Sequence, residues 1–304
     1  MKQTTFDSVP PPPVVSDQTV AEPRRTAFEA LWGKLGGVLL PPSRGRFFRA
    51  RISLLLAILS AVLLWGATDC YQRQIRTHWQ RPLRVALVLV ERDAIDPSTL
   101  SLLTERVDEL ERRLASEYKR HDGRDFTPFS FVVTAPIPID HPPPTMQEQS
   151  LLGLVGDTYR RWRWTRAIDE RAGLSASSFD ARIYLVMKRA ADGLASVEGE
   201  SELGGRVGVA QVDMEPEMVD FSLFVAAHEL MHTLGASDKY GAQGRALYPG
   251  GFAAPERRQL YPQPGAEVMA RNVPLSASTE RPPSTLSELF VGDTTATEVG
   301  WRKR

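Results

Sequence analysis

The sequence predicts an α/β protein with a mainly parallel sheet, carried behind one N-terminal transmembrane helix. Three observations lead there. The run ISLLLAILSAVLLWGA at 52–67 holds no charge and approaches the length needed to cross a bilayer. From residue 83 onward, short β-branched apolar runs alternate with longer segments of helical periodicity, the pattern of strands with helices on their faces. The last strong helical pattern, 221–235, contains HELMH, two histidines four positions apart.

Composition bounds the alternatives. A chain of 304 residues holds one large domain or two small ones. Lys+Arg and Asp+Glu both total 37, which gives no global charge to draw a nucleic-acid partner. Cys70 is the sole cysteine, so an intrachain disulfide and a cysteine-ligated zinc site are both excluded. No signal for an oligomeric state is present.

Residues 1–46, with VPPPPVV and the helix-weakening Gly33, Gly36 and Gly37, read as a disordered and juxtamembrane tail. Residues 47–71 form the expected transmembrane helix, which would meet the lipid bilayer through 52–67. Arg44, Arg46, Arg49 and Arg51 crowd its N-terminal flank, against Arg73 and Arg76 beyond it. That bias expects a cytoplasmic N-terminus and an extracytoplasmic C-terminal domain, periplasmic or extracellular. Residues 72–82 read as a linker, and 83–304 as the domain proper.

LRVALVLV (83–90) is continuous and apolar, as expected of a buried strand. A helix is expected over 97–121, a strand over 126–138, a helix over 150–174, and strands over 181–188 and 206–214. YRRWRWTR (159–166) interleaves arginine with aromatics, yet Leu151, Val155, Tyr159 and Trp162 share one face at helical spacing. An amphipathic helix, not a nucleic-acid contact, is the reading. His78, His121 and His141 stand in polar contexts and read as surface residues.

In the 221–235 helix, His228 and His232 lie one turn apart on one face, with Glu229 about a quarter-turn round the axis. That is the H-E-x-x-H arrangement: two imidazole ligands for Zn2+ and a carboxylate beside the metal-bound water. Gly235 stands where the helix stops, and Asp238 follows close enough to swing back as a third ligand. The rival third ligands, Glu256 and Glu267, lie in a stretch broken by Pro249, Pro255, Pro262 and Pro264.

His228-Glu-x-x-His232-x-x-Gly235-x-x-Asp238 resembles the metzincin zinc motif, in the aspartate-ended form of the snapalysin family. Met269 in GAEVMARN, 31 positions after Asp238 (269 − 238 = 31), resembles the methionine turn of that family. The resemblance implies a zincin domain: a mixed, mainly parallel sheet with an active-site helix, hydrolysing a protein or peptide substrate. Glu229 would be the catalytic base and His228, His232 and Asp238 the zinc ligands. It also implies that 206–214 serves as the substrate-pairing edge strand. Many metzincins place a tyrosine soon after the methionine; this chain has Ala270-Arg271-Asn272, and Tyr240, Tyr248 and Arg271 are the candidate oxyanion donors. Two other readings remain: a non-catalytic envelope scaffold that keeps zinc for stability, and a zinc amidase acting on a non-protein amide.

Overall fold

The computed structural model describes residues 46–144, 150–189, 197–201 and 205–302. The chain divides into two units, Met1–Gly66 and Ala67–Arg304. Of the expected tail over 1–46, residues 1–45 lie outside the described residues. In the first unit the described chain is helical, the beginning of α1 (Arg46–Arg76). Phe47–Arg76 is long and apolar enough to cross a bilayer, and its side chains from Leu54 to Leu64 that are described stand exposed. At 1.5 Å per residue α1 is about 46 Å long, well beyond a hydrocarbon core of about 30 Å.

The second unit is built on one six-stranded sheet. In chain order its parts are β1 (Leu83–Glu91), α2 (Pro97–Asp122), β2 (Phe129–Val133), β3 (Ile137–Pro138), α3 (Leu151–Arg171), β4 (Ala181–Lys188), β5 (Val197–Ser201) and β6 (Val207–Asp213). The strand order is β2-β1-β4-β6-β5, with β3 also paired to β1. All pairings are parallel except β5 with β6. β1 shows why the sheet is buried on both faces. Val85, Leu87 and Leu89 join the core on the side of α2, while Ala86, Val88 and Val90 join a second cluster with Ile168 of α3.

α2 starts at Asp96, whose carboxylate accepts from Ser98 N at 2.8 Å, and ends at Gly123 in the left-handed region. α4 (Val219–Thr233) packs against β6 on the α2 side. Nearly every residue of α4 is buried, as befits a helix that is apolar almost all round. Its approach to β6 is close because Gly208 has no side chain. A Cβ there would lie 3.0 Å from both Glu229 Cβ and Ile183 Cδ1. Beyond α4 the chain is mostly irregular, with the short ribbons β7 (Ala266–Glu267), β8 (Val273–Pro274), β9 (Glu280–Arg281) and β10 (Leu289–Phe290), then α5 (Asp293–Glu298).

Four expectations need revision. The stretch 72–82 is not a free linker. α1 continues to Arg76, whose guanidinium donates to the carbonyls of Gly205 and Thr233, and Trp79 is a core residue bonded to Val299 O at 2.8 Å. The strand at 206–214 is not the sheet edge, because the unread VEGES segment pairs antiparallel beyond it as β5. The stripe Val155, Tyr159 and Trp162 of α3 faces solvent; the helix instead buries Asp157, Thr165, Ile168 and Asp169. Asp157 and Asp169 tolerate burial because Arg160 and Arg182 pair with them. The His121 side chain is buried and does not face solvent, with Nε2 2.6 Å from Val291 O.

Candidate metal centre

α4 supplies the first two side chains. His228 and His232 stand one turn apart, with ring centroids 4.6 Å apart and Nε2 atoms 3.1 Å apart. Gly235 then adopts φ 100°, open to glycine without a Cβ penalty, and turns the chain sharply off the helix end. Asp238 comes back to the same spot. Its Oδ1 lies 3.2 Å from His232 Nε2 and 3.4 Å from His228 Nε2. Among the described residues this is the group of three ligand-type side chains able to hold a metal ion.

The other ring nitrogens explain the orientation. His228 Nδ1 lies 2.9 Å from Val268 O, and His232 Nδ1 lies 2.8 Å from Ala236 O. A carbonyl only accepts, so each Nδ1 carries the proton and each neutral Nε2 presents a lone pair. Two lone pairs and a carboxylate oxygen within 3.4 Å of one another repel unless a cation sits among them. Tetrahedral zinc with bonds of about 2.0–2.2 Å would separate its ligand atoms by about 3.3–3.5 Å. The donor set and its spacing fit zinc.

Protonation follows from burial. Desolvation, then repulsion from His232, pushes the His228 imidazole down to about 4. His232 is also desolvated, but the Asp238 carboxylate, which would accept from a protonated Nε2, and the charge of Glu229 outweigh this and raise it. Asp238 is held below the usual carboxylate range: its burial works the other way, and the bond to His232 prevails.

The supports come from distant parts of the chain. Lys239 N donates to Met269 O at 2.9 Å, which fixes the chain just after Asp238 to the residue expected as the methionine turn. Glu298 of α5 accepts from Ser237 N at 3.0 Å and from Lys239 Nζ at 2.7 Å, so it grips both neighbours of Asp238. Glu267 lies outside this group of three. It is wholly buried, and its carboxylate accepts from Met269 N at 2.7 Å and from Gly292 N at 3.0 Å. Glu256 is exposed and lines a separate cleft of about 590 Å³ with Arg120, Phe252 and Asp293. Neither Val268 O, Ala236 O nor Glu298 has any sequence signature that marks it as a support.

Glu229 is buried and lines a small pocket of about 20 Å³ together with Phe221, Phe224, Val225, His228, Tyr240 and Arg271. That volume suits about one water molecule. The Tyr240 ring stacks on His228 at 6.4 Å, and the Arg271 guanidinium lies 5.5 Å over the Tyr240 ring. Burial, then the Asp238 charge, raises the Tyr240 hydroxyl, which stays protonated as a donor. Of the three candidate oxyanion donors, Tyr240 and Arg271 are here. Tyr248 is exposed and packs edge-on against Phe252, away from these residues.

No protein-family model matches the chain, and no curated protein matches it by sequence. Solved structures overlap with it in part. Archaemetzincin (amzA) from Methanopyrus kandleri has a TM-score of 0.29 at 19% identity, over 54% of this chain and 79% of that one. A chaperone–substrate complex gives 0.33 at 14% identity, over 72% of this chain and 33% of that one. OgpA from Akkermansia muciniphila gives 0.38 at 12% identity, over 72% and 60%. With overlaps this partial, the functional reading rests on the site's own residues.

Proposed function

We propose that the chain is a membrane-anchored zinc metallopeptidase of metzincin type, with its catalytic domain outside the cytoplasm. One observation carries the reading. Three ligand atoms converge at 3.1–3.4 Å, both imidazoles are locked by their Nδ1 bonds, and Glu229 is the helical neighbour of His228. His228, His232 and Asp238 would hold the ion. A bound zinc supplies a Lewis acid and an acidified water at that point.

The chain's own groups do the remaining work. Glu229 accepts the proton of the attacking water and returns it to the leaving nitrogen. Tyr240 and Arg271 donate to the oxyanion, Arg271 from a left-handed backbone (φ 73°) that is uncommon outside glycine. β5, at the end of the sheet, takes the extended substrate by backbone pairing. α1 anchors the domain, and the arginine-rich N-terminal flank keeps that end cytoplasmic.

The deciding experiment uses full-length protein in detergent and measures zinc per chain together with cleavage of a random peptide library. Glu229→Ala is expected to keep one zinc and lose hydrolysis by several orders of magnitude. His232→Ala is expected to lose both. Full activity in Glu229→Ala would sink the mechanism, and cleavage confined to non-protein amides would move the enzyme to the amidase class.

A further inference from the structure

The metal centre does not use the exposed face of α3. Val155 is 67% exposed, Tyr159 55% and Trp162 52%, and they follow one another at helical spacing. The two rings stack at 5.8 Å, and Arg166 lies 5.6 Å over the Trp162 ring, continuing the stripe by one turn. Core packing does not explain these residues, since α3 packs through Thr165, Ile168 and its two buried acids.

Charge selects the occupant. Arg160, Arg163, Arg166 and Arg171 are exposed on α3, where Glu170 is the one exposed acid among the described residues; Arg160 pairs with Asp157 and Arg166 with Glu170, so the helix still carries an excess of exposed positive charge. Asp157 and Asp169 are turned inward. Aromatic rings with a polar or cationic flank suit the headgroup layer of a bilayer, where the rings reach the acyl boundary and arginine meets phosphate. Distance agrees. The apolar run of α1 ends at Ala67 and Trp79 is already core, so few residues separate span from domain. A tether this short keeps the domain close to the bilayer and raises the effective concentration of any surface contact within its reach.

We propose that the Val155-Tyr159-Trp162 face of α3 is a second membrane contact, which lays the domain on an anionic lipid surface. This rests on the reading of α1 as the anchor. A reporter placed on the stripe separates the two claims. In full-length Cys70→Ser protein, Val155→Cys carries an environment-sensitive fluorophore, and Ser278→Cys, also exposed, carries the same label as control. Both go into nanodiscs of phosphatidylglycerol and phosphatidylcholine containing a nitroxide acyl-chain lipid. Quenching at 155 is expected to exceed that at 278 by roughly threefold or more, and to fall when phosphatidylcholine replaces the anionic lipid. Adding Tyr159→Ser with Trp162→Ser is expected to bring it down to the control level, with the chain still in the disc.

Equal quenching at 155 and 278 in chain-loaded discs overturns the proposal. So does efficient disulfide crosslinking between unlabelled 155 cysteines of two chains without quenching, which would assign the face to a second copy. Failure of the chain to enter discs would instead sink the anchor. Flotation of the same full-length chain with phosphatidylglycerol vesicles, with and without the Tyr159 and Trp162 substitutions, then decides the α3 contact by itself.

Discussion

The imidazole of His228 donates through Nδ1 to the carbonyl oxygen of Val268, 2.9 Å away and 40 positions along the chain. That bond ties the helix of the paired histidines to the turn at Met269. It sets the tautomer that turns Nε2 toward His232 and Asp238. The carbonyl belongs to the backbone, so the geometry depends on how firmly the turn is held.

The least familiar member of the triad is the acid. Asp238→Ala leaves two imidazoles and is expected to shed zinc on dialysis against a weak chelator. Asp238→His is expected to recover part of the binding, because a nitrogen donor then reaches the same point. Glu256→Ala is expected to keep its zinc. Retention by Asp238→Ala would show that the acid is not a ligand.

Zinc retention is also expected to depend on pH in a defined direction. The His232 imidazole is raised above its ordinary 6.5, so on acidification it gains a proton while a normal histidine is still neutral. That proton occupies the lone pair a metal needs. Zinc is therefore expected to be held at pH 8 and lost progressively as pH falls through the His232 range. Isothermal titration in two buffers of different ionisation enthalpy would register the proton released on binding. Affinity that stays flat from pH 8 to pH 5.5 would contradict the assignment of His232.

Glu267 holds the turn at Met269 to the C-terminal segment. Removing its carboxylate strands the N–H groups of Met269 and Gly292, each costing about 1–3 kcal/mol when buried. Glu267→Ala is expected to lose about 2–5 kcal/mol of stability by denaturant titration yet still bind one zinc per chain. Burial lifts the Glu267 carboxyl to about 7 from an ordinary 4.5, so the folded state holds its proton more tightly than the unfolded one. Its contribution is full below 4.5 and lost as pH rises through 7. The stability gap between wild type and Glu267→Ala should accordingly be wider at pH 5 than at pH 8.

Gly208 sets the distance between helix and sheet at the site. A methyl there meets Glu229 Cβ and Ile183 Cδ1, both at 3.0 Å, and α4 must shift by a few tenths of an ångström. Gly208→Ala is expected to lose about 1–3 kcal/mol. A misplaced base matters more, and kcat/KM is expected to fall about tenfold or more with zinc still bound. Unchanged turnover would mean that the position of Glu229 is not set by this contact.

The boundary of the folded domain lies earlier than residue 83. Trp79 packs against Tyr118, Phe129 and Trp301 at 5.4–5.8 Å between ring centroids. Truncating a buried tryptophan of this kind costs about 3–5 kcal/mol. A fragment starting at Ala67 is expected to melt cooperatively, whereas one starting at Gln80 is expected to show weak near-ultraviolet circular dichroism and a broadened transition. Equal melting of both would show that Trp79 adds little.

Much of this architecture was legible because local pattern and tertiary role agree. ARIYLVMK is continuous, apolar and β-branched, and it becomes β4 over the residues its pattern marks out. The H-E-x-x-H spacing, Gly235 and Asp238 gave a site that the structure brings together, since helix geometry and a glycine turn act over few residues. What stayed hidden is decided by partners remote in sequence. VEGES has little strand character alone and is a strand because β6 offers it a ladder. Periodicity identified one face of α3 but not which way it points; the burial of Asp157 and Asp169 by arginine partners decided that. Glu298 reaches Ser237 from 61 positions away, and no local pattern marks it.

The edge-on contact of Trp79 with Trp301 also constrains the order in which the molecule is made. The two rings lie 222 positions apart (301 − 79 = 222), so the aromatic nest has no partial version that shields both. Until residue 301 exists, Trp79, Tyr118 and Phe129 lack the ring that all three touch. Closure of so non-local a contact is slow, and the interval before it exposes apolar surface. This core therefore closes only once residue 301 has been made, and substitutions around Trp301 should show first as losses in yield, before any defect in the candidate metal centre.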